Sequence, residues 1–94
     1  MAIKIKPDYA DAYNNLGNAL FTDGKIEEAI SHYKMAIKLN PDYAKAYSNL
    51  GIALVAEGKN EEAISHFKMA IELKPDFAGA HNNLGIALRS EELK

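Results

Sequence analysis

The chain repeats itself with a period of 34 residues, and this repetition constrains its fold more than any other feature. Residues 41–74 match residues 7–40 at 24 of 34 positions, and residues 75–91 match residues 41–57 at 11 of 17. Repeats of this length are typical of solenoids and related arrays, in which each unit buries an apolar face against its neighbours. With 94 residues, the chain has room for a single domain of this kind.

We therefore assign residues 1–94 to one repeat domain. Its parts are the tail of a partial repeat, two complete repeats and a half repeat, at residues 1–9, 10–43, 44–77 and 78–94. Residues 1–4 are identical to residues 35–38, which places them in the tail of a repeat. A trimmed longer array, a short natural chain with incomplete ends, a recent duplication and an engineered chain are all compatible with this pattern.

Within each repeat, the apolar residues recur with the 3.6-residue period of an α-helix rather than with the alternation of a strand. Gly24 can take the left-handed conformation that ends one helix, and Pro41 stops the next because it has no N–H. The sequence predicts an all-α fold with about five helices, near residues 8–22, 26–39, 42–56, 60–73 and 76–91. Because the turns between them are short, consecutive helices are expected to be antiparallel.

The repeat positions resemble those of the tetratricopeptide repeat, a 34-residue helix–turn–helix unit. The pattern in the first repeat is Tyr13-x2-Leu16-Gly17-x2-Leu20, Ala29-x3-Tyr33, Ala36 and Pro41. Its counterparts are Tyr47, Leu50, Gly51, Leu54, Ala63, Phe67, Ala70 and Pro75, followed in the half repeat by His81, Leu84, Gly85 and Leu88. The resemblance covers essentially the whole chain and implies an α–α superhelix, a solenoid of antiparallel helix pairs.

The composition argues against several classes of function. Eleven Lys and Arg against thirteen Asp and Glu give a formal net charge of −2, whereas nucleic-acid binding needs a basic surplus. The absence of cysteine excludes thiol catalysis and cysteine-based zinc sites. No apolar run approaches the roughly 20 residues that cross a bilayer, and the first residues lack a signal-peptide core. We therefore expect a cytoplasmic protein without nucleic-acid or membrane partners.

The residue types that carry catalysis or bind metals are not arranged for either purpose. His32, His66 and His81 lack further ligands at metal-binding spacing. The acidic pairs at residues 27–28 and 61–62 recur at helix starts, where the helix dipole accounts for them. The sequence thus predicts a protein that is not an enzyme, with no catalytic residue, no metal and no cofactor.

The resemblance implies that the first helices of the repeats line a concave surface, termed the groove, and that the groove holds an extended peptide. The groove residues expected on this basis are Asn14, Asn15, Asn18, Lys45, Asn49, Ile52, Val55, Asn83, Ile86 and Arg89. Asn15, Asn49 and Asn83 share one repeat position and are expected to form a ladder, because an amide can pair with a peptide backbone as donor and acceptor. Peptide-binding superhelices of the O-GlcNAc transferase type use an asparagine ladder of this kind. A purely local structural role for these asparagines stays open.

The groove changes in character along its length. Ile52, Val55 and Ala56 form an apolar strip that Ile86 extends. Charges of both signs surround it at Asp11, Lys45 and Arg89. A matching ligand is an extended segment with one or two apolar side chains and little net charge.

The sequence argues against a narrower ligand class, the acidic C-termini of heat-shock chaperones. Family members that bind them use a carboxylate clamp of two Lys, two Asn and one Arg. Asn18 and Asn49 match the two asparagines, but Asn14, Gly79 and Asn83 stand where the three cations are needed. Without those cations, the groove cannot neutralise a pair of terminal carboxylates.

Besides a protein-interaction module, two other functions stay open. The chain can be a scaffold that self-associates by end-to-end stacking or helix exchange, because the half repeat leaves Leu84 and Leu88 partly bare. It can also be an auxiliary domain of a larger enzyme, without chemistry of its own.

Overall fold

The computed structural model describes residues 7–93, with side chains from Tyr9 onward. Five α-helices and no strand occur in this stretch. They are α1 (Pro7–Thr22), α2 (Ile26–Leu39), α3 (Ala44–Ala56), α4 (Asn60–Leu73) and α5 (Ala78–Glu92). The predicted all-α fold with five helices is confirmed. Most of the partial repeat predicted at residues 1–9 lies outside the described residues.

Two left-handed glycines reverse the chain within the helix pairs. Gly24 and Gly58 have φ angles of 82° and 78°, which residues with a Cβ rarely adopt. In each turn, the N–H of the next residue reaches back to the preceding helix, from Lys25 to Leu20 O and from Lys59 to Leu54 O, both at 2.8 Å. These bonds satisfy carbonyl groups at the helix end and lay α2 against α1 and α4 against α3.

Helices α3 and α5 begin two residues later than the sequence predicted, at Ala44 and Ala78 instead of residues 42 and 76. The residues around Pro41 form a turn: the Asp42 N–H donates to the Asn40 side-chain oxygen at 3.2 Å, and the Tyr43 N–H donates to the Asn40 carbonyl at 3.1 Å. The turn before α5 has the same backbone bond, from the Phe77 N–H to the Lys74 carbonyl at 3.0 Å, so the turn around the proline delays both helices. The helix therefore starts only after the turn is closed.

The core lies where aromatic rings of α2 and α4 meet glycines of α1 and α3. A Cβ atom added at Gly17 would lie 2.6 Å from Tyr33 Cε1, and one added at Gly51 would lie 2.5 Å from Phe67 Cε1. The rings thus pack directly on the backbone of the facing helix. The buried cluster around them contains Ala29, Ile30, Tyr33, Leu50, Ala53, Leu54, Ala63, Phe67 and Ala87.

Equivalent repeat positions differ in burial at the ends of the stack. Leu50 is 1% exposed, whereas Leu16, its counterpart in α1, is 48% exposed. The pattern residues Tyr13 and Leu16 of the first repeat are exposed because no described helix precedes α1, whereas α3 is enclosed by α2 and α4. At the other end, Leu88 is 42% exposed and Leu84 is half-buried, which confirms the partly bare surface predicted for α5.

The stack measures 53 × 30 × 17 Å. None of the helices between residues 7 and 93 is long and apolar enough to span a bilayer.

Candidate functional site

The first helices of the repeats lie side by side, since α1 contacts α3 and α3 contacts α5. The ten predicted groove residues fall into three groups by exposure. The exposed ones are Asn15, Asn18, Lys45, Ile52, Ile86 and Arg89; Asn49, Val55 and Asn83 are half-buried; and Asn14 is buried. Nine of the ten therefore keep some accessible surface.

Asn14 is the exception, and its predicted place on the open surface of the groove is wrong. Its side chain is 1% exposed. Asn49 Nδ2 donates to Asn14 Oδ1 at 2.9 Å, and the Tyr43 side chain also bonds to Asn14. The start of the following repeat covers Asn14, so its amide joins two repeats instead of facing a ligand.

Tyr43 and Asp11 continue this polar network at one end of the groove. Burial raises the pKa of Tyr43 to about 12, with further contributions from a hydrogen bond to the Asp11 carboxylate and from its negative charge. The hydroxyl is therefore protonated at neutral pH and can donate to the carboxylate. The Asp11 carboxylate is therefore hydrogen-bonded to Tyr43 at this end of the groove.

Asn18 is held by a residue of the second helix. The Tyr33 hydroxyl donates to Asn18 Oδ1 at 2.6 Å, and burial raises the pKa of Tyr33. Because the oxygen of the Asn18 amide accepts this bond, its two N–H donors remain for another acceptor. The polar end of the groove thus has a fixed amide on an exposed side chain.

The predicted ladder asparagines occupy different surroundings. Asn15 is exposed, Asn49 is bonded to Asn14, and Asn83 lines a pocket described below. Their joint contact with a peptide backbone stays a prediction.

An apolar pocket of about 80 Å³ opens between α3 and α5 in the groove. Its lining residues are Ile52, Val55, Phe67, Asn83 and Ile86. Ile52 is 37% exposed at the mouth, whereas the ring of Phe67 is buried. The pocket offers an apolar surface to a small aliphatic group.

Tyr33 and Phe67 were not among the predicted groove residues, yet Tyr33 holds Asn18 and Phe67 lines the apolar pocket. The alignment of the two repeats contains a signal that links these rings to groove residues. Asn18 and Tyr33 in the first repeat become Ile52 and Phe67 in the second, so a polar pair is replaced by an apolar pair.

A larger cavity of about 500 Å³ lies beside α5. Its lining residues are His81, Asn82, Gly85, Ile86, Arg89, Ser90 and Leu93. Nothing lies within 4 Å of a Cβ added at Gly85, although an aromatic ring covers the equivalent Gly17 and Gly51. This surface, termed the end face, has the shape of a helix-packing site without its helix.

The histidines make local contacts. His32 and His66 each donate from a ring nitrogen to the carbonyl four residues earlier, at 2.7 and 2.8 Å, and His81 donates to Pro75 O at 2.8 Å. No group of three or more metal-binding side chains converges within the described part of the chain.

Comparison with known proteins relates the chain to one family of helical repeats. The family model described as TPR repeat, the tetratricopeptide repeat, matches residues 1–24, 18–58 and 53–89. The search of curated proteins returned no match.

Solved structures share the fold. The crystal structure of MamA is 34% identical, with a TM-score of 0.87 over 94% of this chain and 52% of MamA, so the chain spans about half of the MamA length. The second TPR of Spaghetti (RPAP3), bound to the HSP90 peptide SRMEEVD, is 28% identical, with a TM-score of 0.89 over 92% of this chain and 80% of that one. The first TPR of RPAP3 has a TM-score of 0.90 at 24% identity, over 93% of this chain and 71% of that one.

Proposed function

Because the chain belongs to the tetratricopeptide repeat family, we propose that it is a non-catalytic protein-interaction module that binds an extended peptide segment in the groove. The observation that carries the proposal is the apolar pocket between α3 and α5, with Ile52 and Ile86 open to solvent. An RPAP3 domain of the same fold was solved with a bound peptide, which supports this class of ligand. The cytoplasmic location stays a prediction.

The proposed ligand differs from the acidic peptide in that RPAP3 structure. The three positions that the family's carboxylate clamp fills with cations hold Asn14, Gly79 and Asn83 in this chain. Asn14 is also buried. Since charge-assisted pairs dominate carboxylate binding, this groove favours a segment of low net charge with an aliphatic anchor.

The expected affinity follows from the size of these contacts. A neutral hydrogen bond contributes about 0.5–1.5 kcal/mol, and burial of an aliphatic side chain contributes about 1.5–3 kcal/mol. Because association also costs rigid-body entropy, a few such contacts give a micromolar or weaker dissociation constant. The proposed module is therefore a transient binder.

The decisive variant is Ile52→Asp, which places a carboxylate at the mouth of the pocket. Peptides selected by the parent from an array of extended segments should lose at least tenfold in affinity, because the aliphatic anchor would meet a charge. Calorimetric titration measures the affinity, and circular dichroism checks that the helices persist.

Met69→Asp is the matched control. Met69 is 39% exposed, close to the 37% of Ile52, but lies on α4 and does not line the pocket. It should leave peptide affinity unchanged. A selected peptide that binds Ile52→Asp as tightly as the parent would place the binding site outside the groove.

A second candidate function, a scaffold that self-associates through its repeat ends, is favoured by the end face. Gly85 there offers the space that Tyr33 and Phe67 fill over the two equivalent glycines. Leu88 and Leu93 are also exposed, the latter at 80%. The occupant proposed for this surface is a terminal helix of a second copy, because end faces of repeat stacks pack by the same contacts as their interior.

Sedimentation velocity across a concentration series tests this second function. The parent should form dimers or larger species as its concentration approaches the millimolar range, and the Leu88→Glu, Leu93→Glu double variant should stay monomeric. Both substitutions lie at exposed sites, so the helical spectrum should not change. A parent that remains a strict monomer over the whole series would contradict the proposal.

A further inference from the structure

The residues around the apolar pocket have counterparts one repeat earlier in the groove. The residues that line the apolar pocket are Ile52, Val55, Phe67, Asn83 and Ile86. Their counterparts 34 residues earlier are Asn18, Phe21, Tyr33, Asn49 and Ile52. Two of these equivalent positions differ in polarity, because Asn18 and the Tyr33 phenol stand where the pocket has Ile52 and Phe67. We term the earlier positions the polar subsite and the pocket the apolar subsite.

The subsites differ by one pair of side chains, which is polar in the first repeat and apolar in the second. Tyr33 is buried and its hydroxyl donates to Asn18, whereas Phe67 is buried without a hydroxyl beside Ile52. A buried hydroxyl needs a hydrogen-bond partner, and a phenyl ring needs none. Neither subsite therefore leaves the ring of its second helix with an unsatisfied hydrogen-bonding group.

The polar subsite offers both kinds of hydrogen-bonding group to a ligand. Asn18 accepts the Tyr33 hydroxyl through Oδ1 and keeps two N–H donors, on an exposed side chain. Asn49 donates through Nδ2 to Asn14 and keeps its Oδ1 as an acceptor. A carboxamide side chain carries one acceptor and two donors, so it complements both groups.

The two subsites lie on neighbouring first helices. Helices in contact have axes about 8–10 Å apart, and an extended peptide of polyproline II geometry advances about 3.1 Å per residue and points every third side chain the same way. Side chains that reach both subsites are therefore about three residues apart.

We propose that the groove reads a two-residue code: a Gln or Asn side chain in the polar subsite and an aliphatic side chain, three residues away, in the apolar subsite. The inference rests on the proposed peptide-binding function and gives that ligand a sequence. Both residues are uncharged, which agrees with the lack of clamp cations in the groove.

A pair of reciprocal variants tests the code. Asn18→Ile with Tyr33→Phe makes both subsites apolar, and Ile52→Asn with Phe67→Tyr makes both polar. Each double variant copies a pair that the other repeat already accommodates, so the fold should be retained.

The probes are capped ten-residue Ala/Ser peptides that carry Gln and Leu three residues apart, in either order, with Leu/Leu and Gln/Gln versions. The parent should favour a Gln/Leu peptide. The first double variant should favour Leu/Leu and the second Gln/Gln, each shift amounting to about tenfold in Kd. Peptide arrays and calorimetry measure these preferences.

Changes in the peptide, measured with the parent protein alone, test the code even if a double variant does not fold. Replacing Gln by Ala in the peptide, or changing the spacing from three residues to one, should weaken parent binding about tenfold. If the parent binds Leu-containing peptides regardless of Gln and spacing, the code is overturned and the proposed function stands. If it binds none of the peptides of a full array, both are overturned.

Discussion

Phe67→Ala is expected to lower the free energy of unfolding by about 3–5 kcal/mol, the largest effect of any single substitution considered for this chain. The ring is 1% exposed, fills the contact between α4 and Gly51 of α3, and forms the floor of the apolar pocket. Its removal leaves a cavity that the helices cannot close, because both backbones are already in contact with their neighbours. Urea unfolding followed by circular dichroism measures the loss.

The control for this prediction is Met69→Ala, two residues further along the same helix. Met69 is 39% exposed, so its truncation should change the free energy of unfolding by no more than about 0.5 kcal/mol. Equal effects of the two substitutions would show that the ring does not hold α3 and α4 together.

Alanine substitutions at two equivalent glycines are expected to change stability in opposite directions. A Cβ at Gly51 would lie 2.5 Å from the ring of Phe67, which must then shift within a filled core. Gly51→Ala should therefore destabilise the fold by about 1–3 kcal/mol. At Gly85 a Cβ meets nothing within 4 Å, so Gly85→Ala should stabilise α5 by about 0.5–1 kcal/mol.

The two glycines share one repeat position, and each lies inside a helix, so the intrinsic helix preference of alanine is the same for both. The difference between the variants therefore isolates the contact with the ring. Chemical unfolding of both variants under identical conditions measures it. A stabilising Gly51→Ala would mean that the ring moves aside at little cost.

The same ring contact links stability to the proposed function. Phe67 packs on Gly51 with one edge and contributes to the apolar pocket together with Ile52. A substitution at Phe67 changes both properties, whereas Ile52→Asp acts at the open mouth of the pocket. Peptide affinity and unfolding energy therefore have to be measured together for every groove variant.

The sequence by itself determined the architecture of this protein. The 34-residue period, the helical spacing of apolar residues, the left-handed Gly24 and Gly58, and the proline turns led to five helices in the order observed. These signals are local, because periodicity, turn geometry and missing N–H groups act within a few residues of each position. The largest errors in the helix bounds were at the starts of α3 and α5, which were misplaced by two residues each.

Tertiary structure decided what each repeat position does. Leu16 and Leu50 have nearly the same local sequence, yet one is exposed and the other buried, because burial depends on which helices lie beside α1 and α3. Asn14 is drawn into the interface between repeats by Asn49 and Tyr43, which lie about a repeat away in the chain. Helical periodicity gives the direction of a side chain around its own helix, but hydrogen-bond partners and burial are set by the helices that pack against it.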